Sequence, residues 1–92
     1  MPGRSVGYLL DVQSDLLDHL QTRVVVPLLR PADVPSAMPE LHPRMMVDGE
    51  TFILATQLLA AIRRRELGPS VGDLAAERGT ITRALDLLLT GF

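Results

Sequence analysis

The chain has no cysteine, which excludes disulfides and thiolate chemistry and fits a reducing compartment. It has no lysine either: all nine basic residues are arginine, against eleven acids, for a formal charge of -2. Residues 1–50 carry four arginines and seven acids, a difference of -3, and residues 51–92 carry five and four, +1. Nothing in that balance resembles the basic footprint of a nucleic-acid-binding domain. There is no run of about eighteen apolar residues, and Met1-Pro2-Gly3-Arg4 leads into only a few. Neither a membrane span nor a secretory signal is therefore expected, and a cytoplasmic location follows by default. Internal repeats and low-complexity tracts are also missing.

Ninety-two residues allow one small domain, expected to span 1–92, with a β core over about 5–62 and a C-terminal helix over about 71–90. A chain of this size buries only about two thirds of the surface it exposes when unfolded, so a partner chain would add stability. Val6, Tyr8, Leu10 and Val12 alternate with Gly7, Leu9 and Asp11, the period of a strand. Gln13-Ser14-Asp15 breaks the pattern, and Leu16, Leu17 and Leu20 fit a turn of helix or a packed loop. Thr22 to Leu29 reads as a second strand through Val24-Val25-Val26, antiparallel to the first. Pro27, without an amide to donate, places that strand at an edge or beside an irregularity.

Pro31, Pro35, Pro39 and Pro43 exclude a regular helix over 31–43. That stretch reads as a surface connection with one short turn near Ala37, anchored by Val34, Met38 and Leu41. Asp48-Gly49, between Arg44-Met45-Met46-Val47 and Glu50 to Ala55, has the positive-φ tolerance of a type I′ hairpin turn. Phe52, Leu54 and Thr56 would line one face of the second hairpin strand, and Thr51, Ile53 and Ala55 the other. A strand apolar on both faces belongs inside a small barrel or at a contact between chains. Gln57 to Ile62 fits a strand or a short helix, Arg63-Arg64-Arg65-Glu66 a solvated crossing, and Leu67-Gly68-Pro69 a turn.

In the last third, Ser70-Val71-Gly72-Asp73 has the form of a capping box. Leu74, Ile81, Leu85 and Leu88 recur at helical spacing with Ala84 on the same side, while Glu77, Arg83 and Asp86 can face water. Leu87-Leu88-Leu89 and Phe92 add more apolar surface than one packing stripe requires. That surface lies under the rest of the domain or faces a second chain.

Catalytic and metal signals are weak. His19 and His42, the two histidines, lack the ligand spacing zinc favours, although Asp15 and Asp18 could pair with His19 on one helical turn. Ser14, His19 and Asp11 could be nominated as a triad, but no glycine-flanked nucleophile turn supports it. Asp11, Asp15 and Asp18 read as the polar side of a turn, without the central glycine of a calcium loop. No cofactor or metal is expected. The residues point to a dimeric interaction module rather than an enzyme.

The segments Asp11-Val12-Gln13-Ser14-Asp15-Leu16-Leu17-Asp18 and Arg23-Val24-Val25-Val26-Pro27-Leu28 resemble the early part of the CcdB family, toxins of bacterial toxin–antitoxin pairs. The likeness resumes at His42-Pro43-Arg44-Met45-Met46-Val47-Asp48-Gly49-Glu50. It continues through Val71-Gly72-Asp73-Leu74 and Ile81-Thr82-Arg83-Ala84-Leu85-Asp86-Leu87 to Gly91-Phe92. The resemblance implies a mainly β fold, an SH3-like barrel of the type shared by CcdB and PemK toxins, closed by a C-terminal helix. It implies a homodimer that binds DNA gyrase through the gyrase A polypeptide, traps the enzyme on cleaved DNA, and is removed by a CcdA-like antitoxin. DNA would be met only indirectly, through gyrase or the toxin–antitoxin complex in operon regulation, and the toxin would not be an enzyme.

Carried onto this chain, the resemblance implies gyrase binding by Leu88, Thr90, Gly91 and Phe92. A dimer contact would use Phe52, Leu54, Leu88 and Leu89, and antitoxin would contact Met45, Met46, Phe52 and Arg83. The family's terminal Trp-Gly-Ile stands here as Thr90-Gly91-Phe92, so the aromatic anchor expected to stack on a gyrase arginine is replaced by threonine. Family members also carry a first strand and a turn ahead of the segment matching Pro2 to Tyr8, where only Met1 stands here. Two alternatives follow: a non-toxic homologue that still dimerises and binds antitoxin, and an endoribonuclease toxin on the same barrel.

Overall fold

The computed structural model describes residues 6–91. Strands β1 (Val6–Asp11), β2 (Thr22–Leu29), β3 (Arg44–Val47), β4 (Glu50–Leu54) and β5 (Ala60–Arg63) form one antiparallel sheet, and α1 (Arg78–Thr90) follows them. The spatial order is β1-β2-β4-β3, with β5 also on β2. The sheet curls into a half-barrel of the expected β-with-C-terminal-helix class.

β2 organises the sheet because its eight residues are long enough for three partners. One edge pairs with β1, Leu9 opposite Pro27 and Asp11 opposite Val25. The other edge is shared: its first half pairs with β5, from Thr22↔Arg63 to Val25↔Ala60, and its end with β4, Leu28↔Leu54 and Leu29↔Ile53. Pro27 thus lies in an internal strand, not at a sheet edge. Its ring sits where β5 has ended and β4 begins, so no ladder bond is lost. Its carbonyl accepts the Ala55 amide at 3.0 Å across that seam. The irregularity in the ladder is on the other strand, at Gly7. A Cβ there would overlap the Phe52 ring, with Phe52 Cδ1 at 2.9 Å, so only glycine lets β1 pass.

The hairpin forms as its sequence requires. Asp48 and Gly49 both have positive φ, 52° and 78°, and the flanking strands keep register from Val47↔Glu50 to Arg44↔Ile53. Phe52, Ile53, Leu54, Ala55 and Thr56 are all buried in succession, so both faces of β4 are covered within the chain. Val26, Leu28, Met45, Phe52, Leu54 and Ala84 make the core, flanked by half-buried Tyr8, Leu10, Leu74 and Ile81. Tyr8 meets Phe52 edge-on, with centroids 5.3 Å apart at 85°.

Three local expectations are corrected. The helix starts at Arg78, not near 71: Gly72 has φ 153°, outside helical space, and Ser70 Oγ turns to the Gly72 carbonyl. Asp73 accepts the Ala75 amide at 3.1 Å, and a single 3-10 turn over Ala75–Glu77 leads into the helix. In the proline-rich connection the 3-10 turn is Pro31–Asp33 rather than near Ala37. Its buried anchors are His42 and Pro43, whereas Met38 is exposed. Gln57 to Ile62 is neither all strand nor all helix, since a 3-10 turn over Thr56–Leu58 precedes β5.

Candidate functional site

The residues expected to bind partners lie on α1 and on the β3–β4 hairpin. On α1, Ala84 is fully buried, and its missing side-chain bulk lets the helix approach the sheet. Ile81, Leu85 and Leu88 flank it half-buried, while Arg83, Asp86 and Thr90 face solvent. The helix ends on Gly91 in the left-handed conformation, φ 81°, with its amide on the Leu87 carbonyl at 3.0 Å. Leu89 stays 68% exposed. Thr90 Oγ1 donates back to the Asp86 carbonyl at 2.7 Å, so its side chain lies along the helix rather than reaching outward. Phe92 lies outside the described residues.

The hairpin divides the residues expected to bind partners. Met45, Phe52 and Leu54, at 1%, 2% and 0% exposure, are consumed by the chain's own core and present no surface to a second chain or an antitoxin. The alternation that buries Met45 leaves Met46 exposed, beside Thr51. Arg83 is exposed and faces Pro39 and Glu40 across a shallow cleft of about 300 Å³ that Thr80 and Leu87 complete. The accessible members of the expected set are therefore Met46, Arg83, Leu88, Leu89, Thr90 and Gly91. A broader open cleft of about 1310 Å³ lies between β1 and the connection over 67–75, and among those six only Met46 lines it.

The aspartates expected to form the polar side of a turn instead hold an arginine. Arg23 shares its face of β2 with Val25 and is buried, so its charge needs partners. Asp11 takes it bidentately, with Nε at 2.7 Å and Nη2 at 3.1 Å, and Asp18 receives Nη1 at 3.0 Å. The Asp11 hydrogen bond holds the guanidinium pKa above its ordinary value; burial opposes this, and the charges of Asp11, Asp18 and Asp15 add to it. Arg64 extends the network by donating to the Asp18 and Leu20 carbonyls, which pins the β1–β2 connection to the end of β5. The signal available in the sequence was an arginine at an inward strand position with three aspartates nearby.

This arrangement leaves none of the nominated acid–base groups poised for catalysis. Ser14 Oγ accepts the Leu16 amide, Asp11 is engaged by Arg23, and His19 is exposed without an ion pair to Asp15 or Asp18 among the described residues. His42 is buried and uses both ring nitrogens: Nδ1 accepts the Met38 amide at 2.9 Å, and Nε2 lies 2.8 Å from Gln57 Oε1. Among the described residues no group of three His, Cys, Asp or Glu side chains could hold a metal ion, and no helix is long and apolar enough to cross a membrane. A family model described as CcdB protein matches residues 2–91.

Proposed function

This chain belongs to the CcdB family of toxins, which are non-catalytic inhibitors, and on that premise we propose that it binds the gyrase A polypeptide of DNA gyrase and traps the gyrase–DNA cleavage complex. The observation that supports the reading is the end of α1. Leu89, Thr90 and Gly91 are exposed in a turn that the chain's own core does not use. A pair of such ends in a homodimer would place two leucines and two glycine-capped termini side by side. Burying one exposed leucine contributes about 1.5–3 kcal/mol, enough for such a turn to carry a large part of an interface. Met46 and Arg83 are the surface residues we assign to the CcdA-like antitoxin, which would compete for the toxin and regulate the operon with it.

A second reading is favoured by Thr90. Its hydroxyl is tied back to Asp86, so no side chain at that position reaches toward a gyrase arginine. Loss of an aromatic anchor costs about 2–4 kcal/mol, or roughly 30- to 1000-fold in affinity. The chain would then be a non-toxic homologue that keeps dimerisation and antitoxin binding.

Binding of the full chain to the gyrase A dimerisation fragment of its own host separates the two. The toxin reading expects a Kd of about 1 μM or tighter. It also expects binding to be lost in a variant lacking Gly91 and Phe92 that remains folded and dimeric, since that truncation leaves the Leu88 and Leu89 side chains in place. A folded parent dimer that fails to bind overturns it and leaves the non-toxic reading.

A further inference from the structure

The cleft of about 1310 Å³ beside β1 gathers four exposed apolar side chains: Leu9, Met46, Leu16 at 87% exposure and Val71 at 62%. A bare strand edge runs along it, because β1 pairs only with β2 among the described residues. The register tells which backbone groups that edge presents. The Val12 amide, just past β1, donates to the Val24 carbonyl at 3.0 Å, so that residue turns toward β2. Leu9 stands opposite Pro27, whose carbonyl turns the other way, to the Ala55 amide. Such a pair in an antiparallel ladder exchanges no hydrogen bonds, so the N–H and C=O of Leu9, and by alternation those of Asp11, point away from β2.

We propose that this cleft receives an extended segment of a partner protein, apolar on one face and bearing arginine or lysine on the other, which adds a strand to the free edge of β1. Unpaired edge groups are a template for such pairing; main-chain bonds supply affinity and alternate side chains selectivity. The charge of the cleft specifies the occupant. Four aspartates, Asp11, Asp15, Asp48 and Asp73, line it against the single arginine Arg78. Arg23 offsets Asp11, but Asp15, Asp48 and Asp73 are exposed and have no ion-pair partner among the described residues. A basic segment would meet free carboxylates, an acidic one repulsion, and a second copy of this chain would double the same negative charge. The cleft is also larger than the roughly 300–1,000 Å³ of small-molecule pockets. The six residues of β1, at about 3.4 Å each, match a strand about 20 Å long. No residue from Leu88 to Gly91 lines this cleft, so the proposal does not depend on gyrase binding.

Nitrogen-15 NMR and amide exchange on the full chain test it with acetylated, amidated peptides of about seven residues, the length of a common strand. One alternates valine with arginine, a second alternates valine with glutamate, and a third is the first N-methylated at every residue, which keeps its charge but removes its backbone donors. The valine–arginine peptide is expected to bind at about 20 mM NaCl with a Kd of about 100 μM or tighter, and at least about tenfold more weakly at about 0.5 M NaCl. At saturation it should slow exchange of the Leu9 amide by at least about tenfold, while that of Val12, already bonded to Val24, changes little. The other two peptides should bind at least about tenfold more weakly than the first. An unprotected Leu9 amide at about 1 mM valine–arginine peptide, or equal affinity for either control, would overturn the proposal. So would a Leu9 amide protected in the peptide-free chain and released on dilution, which would assign the edge to a second copy. Every arm uses the unaltered chain, so loss of folding cannot stand in for loss of binding.

Discussion

Replacing Thr56 by valine isolates one hydrogen bond that holds the proline-rich connection on the sheet. Thr56 is fully buried, and its hydroxyl donates to the Leu41 carbonyl at 2.6 Å. Valine keeps the shape and leaves that carbonyl against a methyl group, at a cost of about 1–3 kcal/mol for a buried acceptor without its donor. Serine makes the opposite cut. It keeps the bond and removes one methyl, costing about 1 kcal/mol, while alanine loses both and falls by about 2–4 kcal/mol if the two effects add. With a urea m-value of about 1 kcal/mol/M for a small domain, the midpoint should drop by about 1 M in Thr56→Ser, about 1–3 M in Thr56→Val and about 2–4 M in Thr56→Ala, at unchanged m. Equilibrium unfolding followed by far-UV circular dichroism reads all three. A Thr56→Val midpoint within about 0.3 M of the parent would refute the reasoning, because the Leu41 carbonyl would then have another donor at no cost.

Gly7→Ala would drive a methyl into a Phe52 ring that is already enclosed by Tyr8 edge-on and by Arg30, whose guanidinium lies 5.8 Å from the ring centroid. Overpacking of this kind costs about 1–3 kcal/mol, readable as a lower urea midpoint, and an unchanged midpoint would show that the ring can move aside. Arg23→Gln strips the cation from Asp11 and Asp18 and leaves Asp15 nearby as a third like charge. The variant should be less stable than the parent in low salt and should regain part of the difference at about 1 M NaCl, where charges are screened beyond about 3 Å. Salt-independent destabilisation would locate the loss in packing instead.

The elements whose sequence admits one solution were legible. Asp48-Gly49 between two apolar runs specifies the hairpin, and Thr22 to Leu29 matches β2 because a run of three β-branched valines favours a strand. Other features are hidden in the sequence, some by local backbone choices and some by contacts distant along the chain. Ser70 and Asp73 have the spacing of a capping box, yet Gly72 between them adopts a non-helical φ, and the side chains serve nearer backbone groups. Phe52 and Leu54 looked available to a second chain because β4 is apolar on both sides. Closure of the half-barrel with α1 buries both sides within one chain, which no local pattern reveals. The exposure of Leu89 was foreseeable from three consecutive leucines on a helix that needs only one stripe. The tie of Thr90 to Asp86 was not, because a helical threonine hydroxyl can turn outward or back with equal ease.

The position of Pro27 has a consequence for the chain while it is being made. As it leaves the ribosome, β2 can close on β1 at once, but its other edge must wait for β4 and β5, whose partner residues lie roughly 25 to 40 positions further on. During that interval a row of valines stands open to other nascent chains. The Ala55 amide shows that Pro27 points its backbone toward this waiting edge, and there it offers a carbonyl but no N–H. A foreign strand that tried to zip along the edge would meet a missing rung, while β4 and β5, which stop on either side of it, would not. A proline there would therefore interrupt foreign pairing at the one place on that edge where the finished sheet needs no N–H from β2.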